Sequence, residues 1–172
     1  MTRRSRLAVL VALLVAAPAA RAHEHQSATA PNPSWDKLKT LVGAWEGTFN
    51  EAGKERTTRS SFKLVSANST LMHVLGEGGP EEMITMFHMD LKDLMATHYC
   101  SGQTQPRFRA VPAKQPNQIA FEFKDGTNIA PGAGHMQRVI FTFVDADHHQ
   151  EDWTWLDKGK ESNAHFEFHR AK

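Results

Sequence analysis

From Gly43 to the C-terminus the sequence is a succession of ten short stretches of strand-like composition, and this succession most limits how the chain can fold. The stretches are 43–50, 57–66, 69–76, 82–90, 94–100, 106–112, 117–124, 135–145, 148–157 and 163–170. Turn-forming residues separate them, as in Gly76-Glu-Gly-Gly-Pro80 and Asp157-Lys-Gly159. Since these separators are too short to hold a helix, consecutive strands must be antiparallel. The sequence therefore predicts an all-β fold.

The edges of such a sheet are best protected when it closes into a barrel or folds into a sandwich. Apolar and polar residues alternate clearly in two strands, where Ile119, Phe121 and Phe123 share one face and Phe166 and Phe168 share another. In QRVIFTFV (137–144) both faces are apolar. Three explanations are open for that strand: cover by an N-terminal helix, cover by a partner subunit in a homodimer, or an apolar lumen.

The first 41 residues of the sequence have a different character. MTRRSRLAVLVALLVAAPAARA (1–22) joins a basic start, a short apolar run and a small-x-small site, which is typical of a secretory signal cleaved before His23. Residues 23–33 are polar and interrupted by proline, which predicts a disordered leader. SWDKLKTL (34–41) spaces apolar residues three apart after a Ser34 cap, which predicts a short helix. A single domain, residues 34–172, should follow the leader.

Removal of residues 1–22 removes four arginines and leaves 16 Lys and Arg against 19 Asp and Glu. A mildly acidic surface without a basic cluster gives no reason to expect nucleic-acid binding. The remaining chain has no apolar run long enough to span a membrane. Its one cysteine, Cys100, cannot form an internal disulfide, so packing must stabilise a protein that we expect to be periplasmic or extracellular.

LVGAWEGTF (41–49) places Trp45 between Gly43 and Gly47 at the start of the first strand. This resembles the G-x-W signature of the calycins, the superfamily of lipocalins and fatty-acid-binding proteins. The resemblance implies a closed, antiparallel, up-and-down barrel of about ten strands with a short N-terminal helix. It also implies that Trp45 closes one end of the barrel and that an arginine of the last strand, here Arg170, packs across the indole.

Three further segments are similar to blocks found in a group of exported bacterial calycin-like proteins of unknown function. They are HMDLKDLMATHYCSGQTQPRFRA (88–110), DGTN (125–128) and FTFVDADHHQEDWTW (141–155). The similarity covers most of the chain after the signal. It implies a fold and no established activity.

His98 and Cys100 share one face of the fifth strand. An imidazole and a thiol at positions i and i+2 could supply two ligands to zinc or copper, with His88 or His135 completing the set. The competing interpretation is structural, with Cys100 a small buried hydrophobe and His98 a hydrogen-bonded interior histidine. A catalytic Cys/His pair would need a third, orienting group that the sequence does not locate.

Arg107 and Arg109 share one face of the sixth strand. Inside the barrel they would meet an anionic ligand or pair with Glu122 or Asp152, and on the outer face they would be solvated. Asn128 in the DGTN turn could line the barrel mouth or simply form the turn. Trp153 could wall a pocket or pack in the core.

The sequence contains candidates for two other metal or cofactor sites. Cleavage before His23 would leave His23-Glu24-His25, whose free amine, amide nitrogens and His25 imidazole suit Cu²⁺ or Ni²⁺. Nitrobindin-like haem barrels belong to the same superfamily and hold haem by a C-terminal histidine, for which His165 is the nearest candidate. Strand alternation turns His165 outward when Arg170 faces inward. The neighbouring His148 and His149 follow a turn and are interpreted as surface residues.

Together these observations predict an exported small-molecule-binding barrel. Aromatic side chains and methionines would hold a largely apolar ligand, while His98 and Arg107 or Arg109 would hold a polar or anionic head group. This function requires no cofactor. The alternatives are periplasmic handling of copper, zinc or haem, and an enzyme of unknown reaction, although no catalytic motif is present.

Overall fold

The computed structural model of the chain describes residues 31–51 and 54–172. The predicted signal and the candidate metal ligands His23 and His25 lie outside the described residues. The described part begins just before the short helix α1, at Pro33–Lys39. Its N-cap is Asn32 rather than Ser34, because the Asn32 side chain accepts a hydrogen bond from the Trp35 amide and Pro33 takes the first helical position.

The predicted all-β class is confirmed, and in the described residues ten antiparallel strands follow the helix. They are β1 (Gly43–Glu51), β2 (Lys54–Val65), β3 (Thr70–Leu75), β4 (Met83–Asp90), β5 (Asp93–Tyr99), β6 (Gln105–Val111), β7 (Gln118–Thr127), β8 (His135–Phe143), β9 (His148–Asp157) and β10 (Lys160–Arg170). Each strand pairs with its sequence neighbours, and β1 pairs with β10. The sheet is therefore a closed up-and-down barrel.

Strand alternation divides the side chains between the lumen and the outer wall. The register pairs Trp45 with Arg170 and Gly47 with Phe168 across the closing strands. It continues from Phe168 to His149 on β9 and from there to Phe143 on β8. These positions all face the lumen, where aromatic rings fill the central section of the barrel. Its fully buried aromatic residues include Phe62, Phe87, Phe108, Phe121, Phe141 and Trp153.

The strand that is apolar on both faces is β8. Val139, Phe141 and Phe143 point into the lumen and are buried. Ile140, on the outer face, is partly buried, and Val144 is exposed. The helix does not cover that outer face, because its buried residue Leu38 belongs to the same core as the lumen side chains. Of the three explanations, the apolar lumen accounts for the inner row.

One end of the barrel is sealed by the helix segment, Trp45 and Arg170. The Arg170 guanidinium lies 4.3 Å from the centre of the Trp45 ring. It donates hydrogen bonds to the carbonyl oxygens of Val42, Thr40 and Ala146. The indole N–H of Trp45 donates to the Leu41 carbonyl at 2.7 Å. These contacts tie the first strand, the last strand and the segment after the helix into one plug.

The two glycines that flank Trp45 are needed for this close approach. Gly43 has a φ of +135°, and a Cβ there would lie 2.7 Å from a guanidinium nitrogen of Arg170. A Cβ at Gly47 would overlap the carbonyl oxygen of Glu167 on β10. The two glycines of the G-x-W-x-G pattern therefore allow β1 and β10 to pack closely against each other.

Replacement of Arg170 by alanine should lower the free energy of unfolding by about 2 kcal/mol, because it removes a cation–π contact and charge-assisted hydrogen bonds to carbonyl groups. Urea denaturation followed by far-ultraviolet circular dichroism measures this loss. Arg107→Ala, which breaks an exposed ion pair with Asp125, is the matched control and should cost less than about 1 kcal/mol. Equal losses in both variants would contradict the sealing role of Arg170.

Candidate functional site

The described residues form a solvent-accessible cavity at the end of the barrel opposite the helix, and we call this end the mouth. A cavity of about 410 Å³ lies there, on the side of β1, β2, β3, β4 and β10. Its apolar walls are Phe49, Leu75, Met83 and Phe166. Phe49 and Phe166 are register partners whose rings stack with centroids 5.1 Å apart. Leu75 and Met83 are register partners on β3 and β4. The cavity therefore follows from strand ends whose inward residues are large and apolar.

The other half of the mouth is covered by two loops. Asn128 donates a side-chain hydrogen bond to the Gln103 carbonyl and joins loop 128–134 to loop 100–104. Gly134 packs against the Trp155 ring, to which a Cβ would come within 2.7 Å. The connection between the predicted strands 117–124 and 135–145 is shorter in the structure, because β7 continues to Thr127. Asn128 thus closes part of the mouth, and its φ of 56° suits an asparagine.

A cluster of buried polar side chains lies in the lumen beyond the mouth, and Glu151 is at its centre with 0% of its surface exposed. One carboxylate oxygen, Oε1, lies 3.1 Å from His149 Nε2 and 3.4 Å from His73 Nε2. The other, Oε2, accepts a hydrogen bond from the Trp153 indole at 2.8 Å. His73 Nε2 is also 2.9 Å from the Ser60 hydroxyl. We call His73, His98, His149 and Glu151 the lumen cluster.

His98 extends this cluster toward β4 and β5. Its Nδ1 shares a hydrogen bond of 2.8 Å with the Thr85 hydroxyl, and its ring centroid lies 4.7 Å from that of Trp153. Three buried imidazole nitrogens have no hydrogen-bond partner among the described residues: His73 Nδ1, His98 Nε2 and His149 Nδ1. A buried polar atom without a partner is costly in a folded protein, so these atoms are candidates for contact with a ligand.

Burial controls the protonation of the cluster. Desolvation lowers the pKa of His73 to about 4, although the carboxylate of Glu151 opposes this effect. It lowers the pKa of His98 to about 3, with a further contribution from His73. Burial by itself would raise the pKa of Glu151, but His73, His149 and the Trp153 N–H outweigh it and hold that pKa below its ordinary value. At neutral pH Glu151 is therefore ionised, and His73 and His98 are neutral.

The structure brings together only some of the residues singled out in the sequence. His98 and Trp153 meet in the lumen. Cys100 follows β5 at the mouth and its sulfur accepts a hydrogen bond from the Gly102 amide at 3.4 Å. Arg107 and Arg109 lie on the outer wall, half exposed, as one of the two alternatives had it. Their partners are Asp125 and Asp93, so the expected pairing with Glu122 or Asp152 is wrong.

His165 also lies on the outer wall, where its Nδ1 is 2.7 Å from Asp152. His165 therefore points outward, as strand alternation predicted. Among the described residues, no group of three or more His, Cys, Asp and Glu side chains is arranged to hold a metal ion. Within the same residues no helix has the length and apolar character needed to cross a membrane.

The surface assignment of His149 is wrong. His149 is 1% exposed and lies 4.4 Å, between ring centroids, from Trp45. β9 begins at His148, so strand alternation already applies at that residue and turns His149 inward. Extending the Trp153 and Trp155 face backward by two residues at a time would have found both Glu151 and His149. His73 had no comparable signal, because β3 is apolar on both faces.

A larger groove of about 720 Å³ lies on the outer wall of β1, β2 and β10. Its walls include the exposed side chains of Glu46 and Glu167. Water therefore screens its charges, and no buried group without a partner faces it. The mouth cavity is the better candidate for a small molecule.

The chain matches no family model and no curated protein sequence. It is similar in structure to Rv2717c from M. tuberculosis, with a TM-score of 0.55 and 16% sequence identity over 83% of this chain and 100% of that one. It also resembles a protein with unknown function from the DUF3598 family of Nostoc punctiforme, with a TM-score of 0.52 and 13% identity. That match covers 78% of this chain and 48% of the other. Both similarities show the barrel fold alone.

Stability should fall as the pH is lowered from about 6.5 toward 5, because the unfolded chain takes up protons on His73 and His98 that the folded chain refuses. Each histidine contributes a slope of up to about 1.4 kcal/mol per pH unit in this interval. Urea unfolding at half-unit pH steps measures the slope, and His98→Gln should reduce it by about half.

His165→Gln is the control for this measurement. Burial by itself would lower the pKa of His165. The hydrogen bonds and charges of Asp152 and Glu167 outweigh this effect, so the pKa is raised above its ordinary value. Its contribution to stability is present at low pH and is lost as the pH rises, opposite to that of the buried pair. Its removal should therefore leave the slope unchanged or steeper. A flatter slope in this variant would contradict the assignment.

Proposed function

We propose that this protein is an exported small-molecule-binding barrel of the calycin type that holds a largely apolar ligand in its mouth. The observation that carries the proposal is the open apolar cavity formed by Phe49, Leu75, Met83 and Phe166. Its volume of about 410 Å³ is within the usual range of ligand pockets, about 300–1,000 Å³. The sealed opposite end supports entry of the ligand through the mouth.

Export is proposed from the sequence of residues 1–22, which has the three parts of a secretory signal. Cleavage before His23 would release the barrel into the periplasm or the medium. A barrel that is stabilised by packing rather than by disulfides suits a chain with a single cysteine.

The polar end of the ligand is proposed to point inward, toward the lumen cluster. Phe166 lines the cavity and is the register partner of Glu151, while Leu75 lies two residues after His73 on the same face of β3. The cluster thus begins one residue layer beyond the cavity wall. The expected role of Arg107 and Arg109 as head-group contacts is not part of this proposal, because both side chains lie on the outer wall.

No step of this function requires covalent chemistry. Binding would combine burial of an apolar body against the four wall residues with one or two hydrogen bonds at the polar end. Since buried apolar area contributes about 25 cal/mol per Å², the body would supply most of the affinity and the head group most of the selectivity.

Met83→Trp should fill the cavity and weaken binding of a fluorescent fatty-chain dye at least about tenfold, because the larger ring occupies the space of the apolar body. Fluorescence titration of the dye measures the change. Val144→Trp, at an exposed position near the sealed end, is the matched control and should bind like the wild type. Binding that Met83→Trp leaves unchanged would show that the dye does not use the mouth.

A further inference from the structure

The lumen cluster contains a buried hydrogen-bond acceptor, which follows from where the imidazole hydrogens lie. A carboxylate can only accept hydrogen bonds, so the Nε2 atom of His149 that lies 3.1 Å from Glu151 must carry the hydrogen. His73 Nε2 lies 2.9 Å from the Ser60 hydroxyl and 3.4 Å from the same carboxylate oxygen. We place the hydrogen on Nε2, where it is donated to the Ser60 oxygen, because a lone pair there would face the carboxylate. In a neutral imidazole the hydrogen sits on one nitrogen only. The Nδ1 atom of His73, whose pKa is lowered to about 4, is then a bare acceptor, and the Nδ1 atom of His149 is the ring nitrogen that does not contact Glu151.

These two Nδ1 atoms are buried and have no partner among the described residues. His73 Nδ1 is the nearer of the two to the mouth, since His149 packs against Trp45 at the sealed end. The third atom without a partner, His98 Nε2, belongs to a residue at the mouth end of β5, which ends at Tyr99. A hydrogen-bond donor from outside the chain would satisfy the His73 acceptor.

The charge of the lumen cluster also disfavours an anionic head group. Within the described residues, the ion pairs of Glu151 are with His73 and His149, and neither is a fixed cation. With all imidazoles neutral the cluster has one negative charge, and with one proton added it is neutral. It therefore offers no net positive charge to an anion at neutral pH. A carboxylate head group would have to approach the ionised Glu151 in a medium of low dielectric constant.

The two charged residues at the cavity, Arg56 and Glu81, are both exposed at the rim. Their charges are opposite and are screened by water. They are therefore expected to influence the head group less than the buried carboxylate does.

We propose that the ligand of this barrel has a head group that donates a hydrogen bond, an alcohol or an amine, and that the buried carboxylate excludes fatty acids. This inference rests on the proposed function, because it needs the ligand to enter the mouth with its polar end inward. The acceptor that receives the hydrogen bond is His73 Nδ1, and Glu151 holds that histidine in the required tautomer.

The test compares 1-decanol, decylamine and decanoate, which share one alkyl chain and differ only at the head group. Competition against the bound fluorescent dye at pH 8, below the micelle concentration of each probe, measures their affinities. Decanol and decylamine should bind at least about tenfold more tightly than decanoate, since two like charges about 10 Å apart at an effective dielectric constant of about 20 repel by slightly more than this. Equal affinities, or tighter binding of decanoate, would overturn the inference.

Two variants locate the source of the preference. Glu151→Gln removes the charge with little change in shape and should raise the affinity for decanoate by about tenfold while leaving that for decanol within about threefold. Arg56→Gln, at the rim, should leave the order of the three probes unchanged. A wild-type preference for decanoate that Arg56→Gln abolishes would assign the head-group site to the rim and contradict the inward orientation.

The wild-type comparison decides the matter even where Glu151→Gln does not fold. Failure of all three probes to displace the dye would remove the proposed function together with this inference. Binding of all three without discrimination would leave the proposed function standing and remove the inference alone.

Discussion

The contact between Trp45 and Arg170 is the interaction on which the remaining structure depends, because it joins the first strand to the last at a sealed end. The guanidinium lies over the indole at 4.3 Å and also binds three carbonyl groups of the segments on either side. Pairing of β1 with β10 removes the two free edges of the sheet. Because the sheet is closed, the inward-facing side chains of all ten strands enclose one interior. This interior is sealed at the Trp45 end and reaches solvent at the mouth.

The interior contains an ionised carboxylate surrounded by aromatic side chains, and burial of such a charge costs free energy. An ionised carboxylate at 0% exposure is tolerated when hydrogen bonds replace its water. Glu151 has two such hydrogen bonds, from His149 and from the Trp153 indole, and His73 Nε2 lies 3.4 Å from the same carboxylate. The Nδ1 atoms of His73 and His149 have no partner among the described residues. A core selected for stability alone would have apolar side chains here, so this arrangement favours a role in recognition over a purely structural one.

Much of the fold could be predicted from the sequence, and less of the site. The alternation in 119–124 and 163–170, together with the short turns between strands, predicted the barrel. A period of two in apolar residues is typical of a strand with one buried face. The same rule placed His165 outside. It would also have placed Arg107 and Arg109 outside, because Pro106, Phe108 and Ala110 form an apolar face of QPRFRA opposite to them. The predicted strand 148–157 has the observed bounds, and His149 was misplaced because the alternation set by Trp153 was not followed back to the start of that strand. Glu151 was overlooked, since a single carboxylate in a strand reads as an outer residue until its neighbours Trp153 and Trp155 set the face.

The most direct test of a ligand-binding mouth above a polar cluster is the NMR signal of the imidazole nitrogens as decanol is added to the ¹⁵N-histidine-labelled protein. The account predicts that the His73 and His98 resonances shift with saturation while exposed His148 does not, since the first two lie next to the cavity and the third is on the outer wall. Movement of His148 with His73 and His98 unchanged would contradict the account and place the binding site on the outer surface.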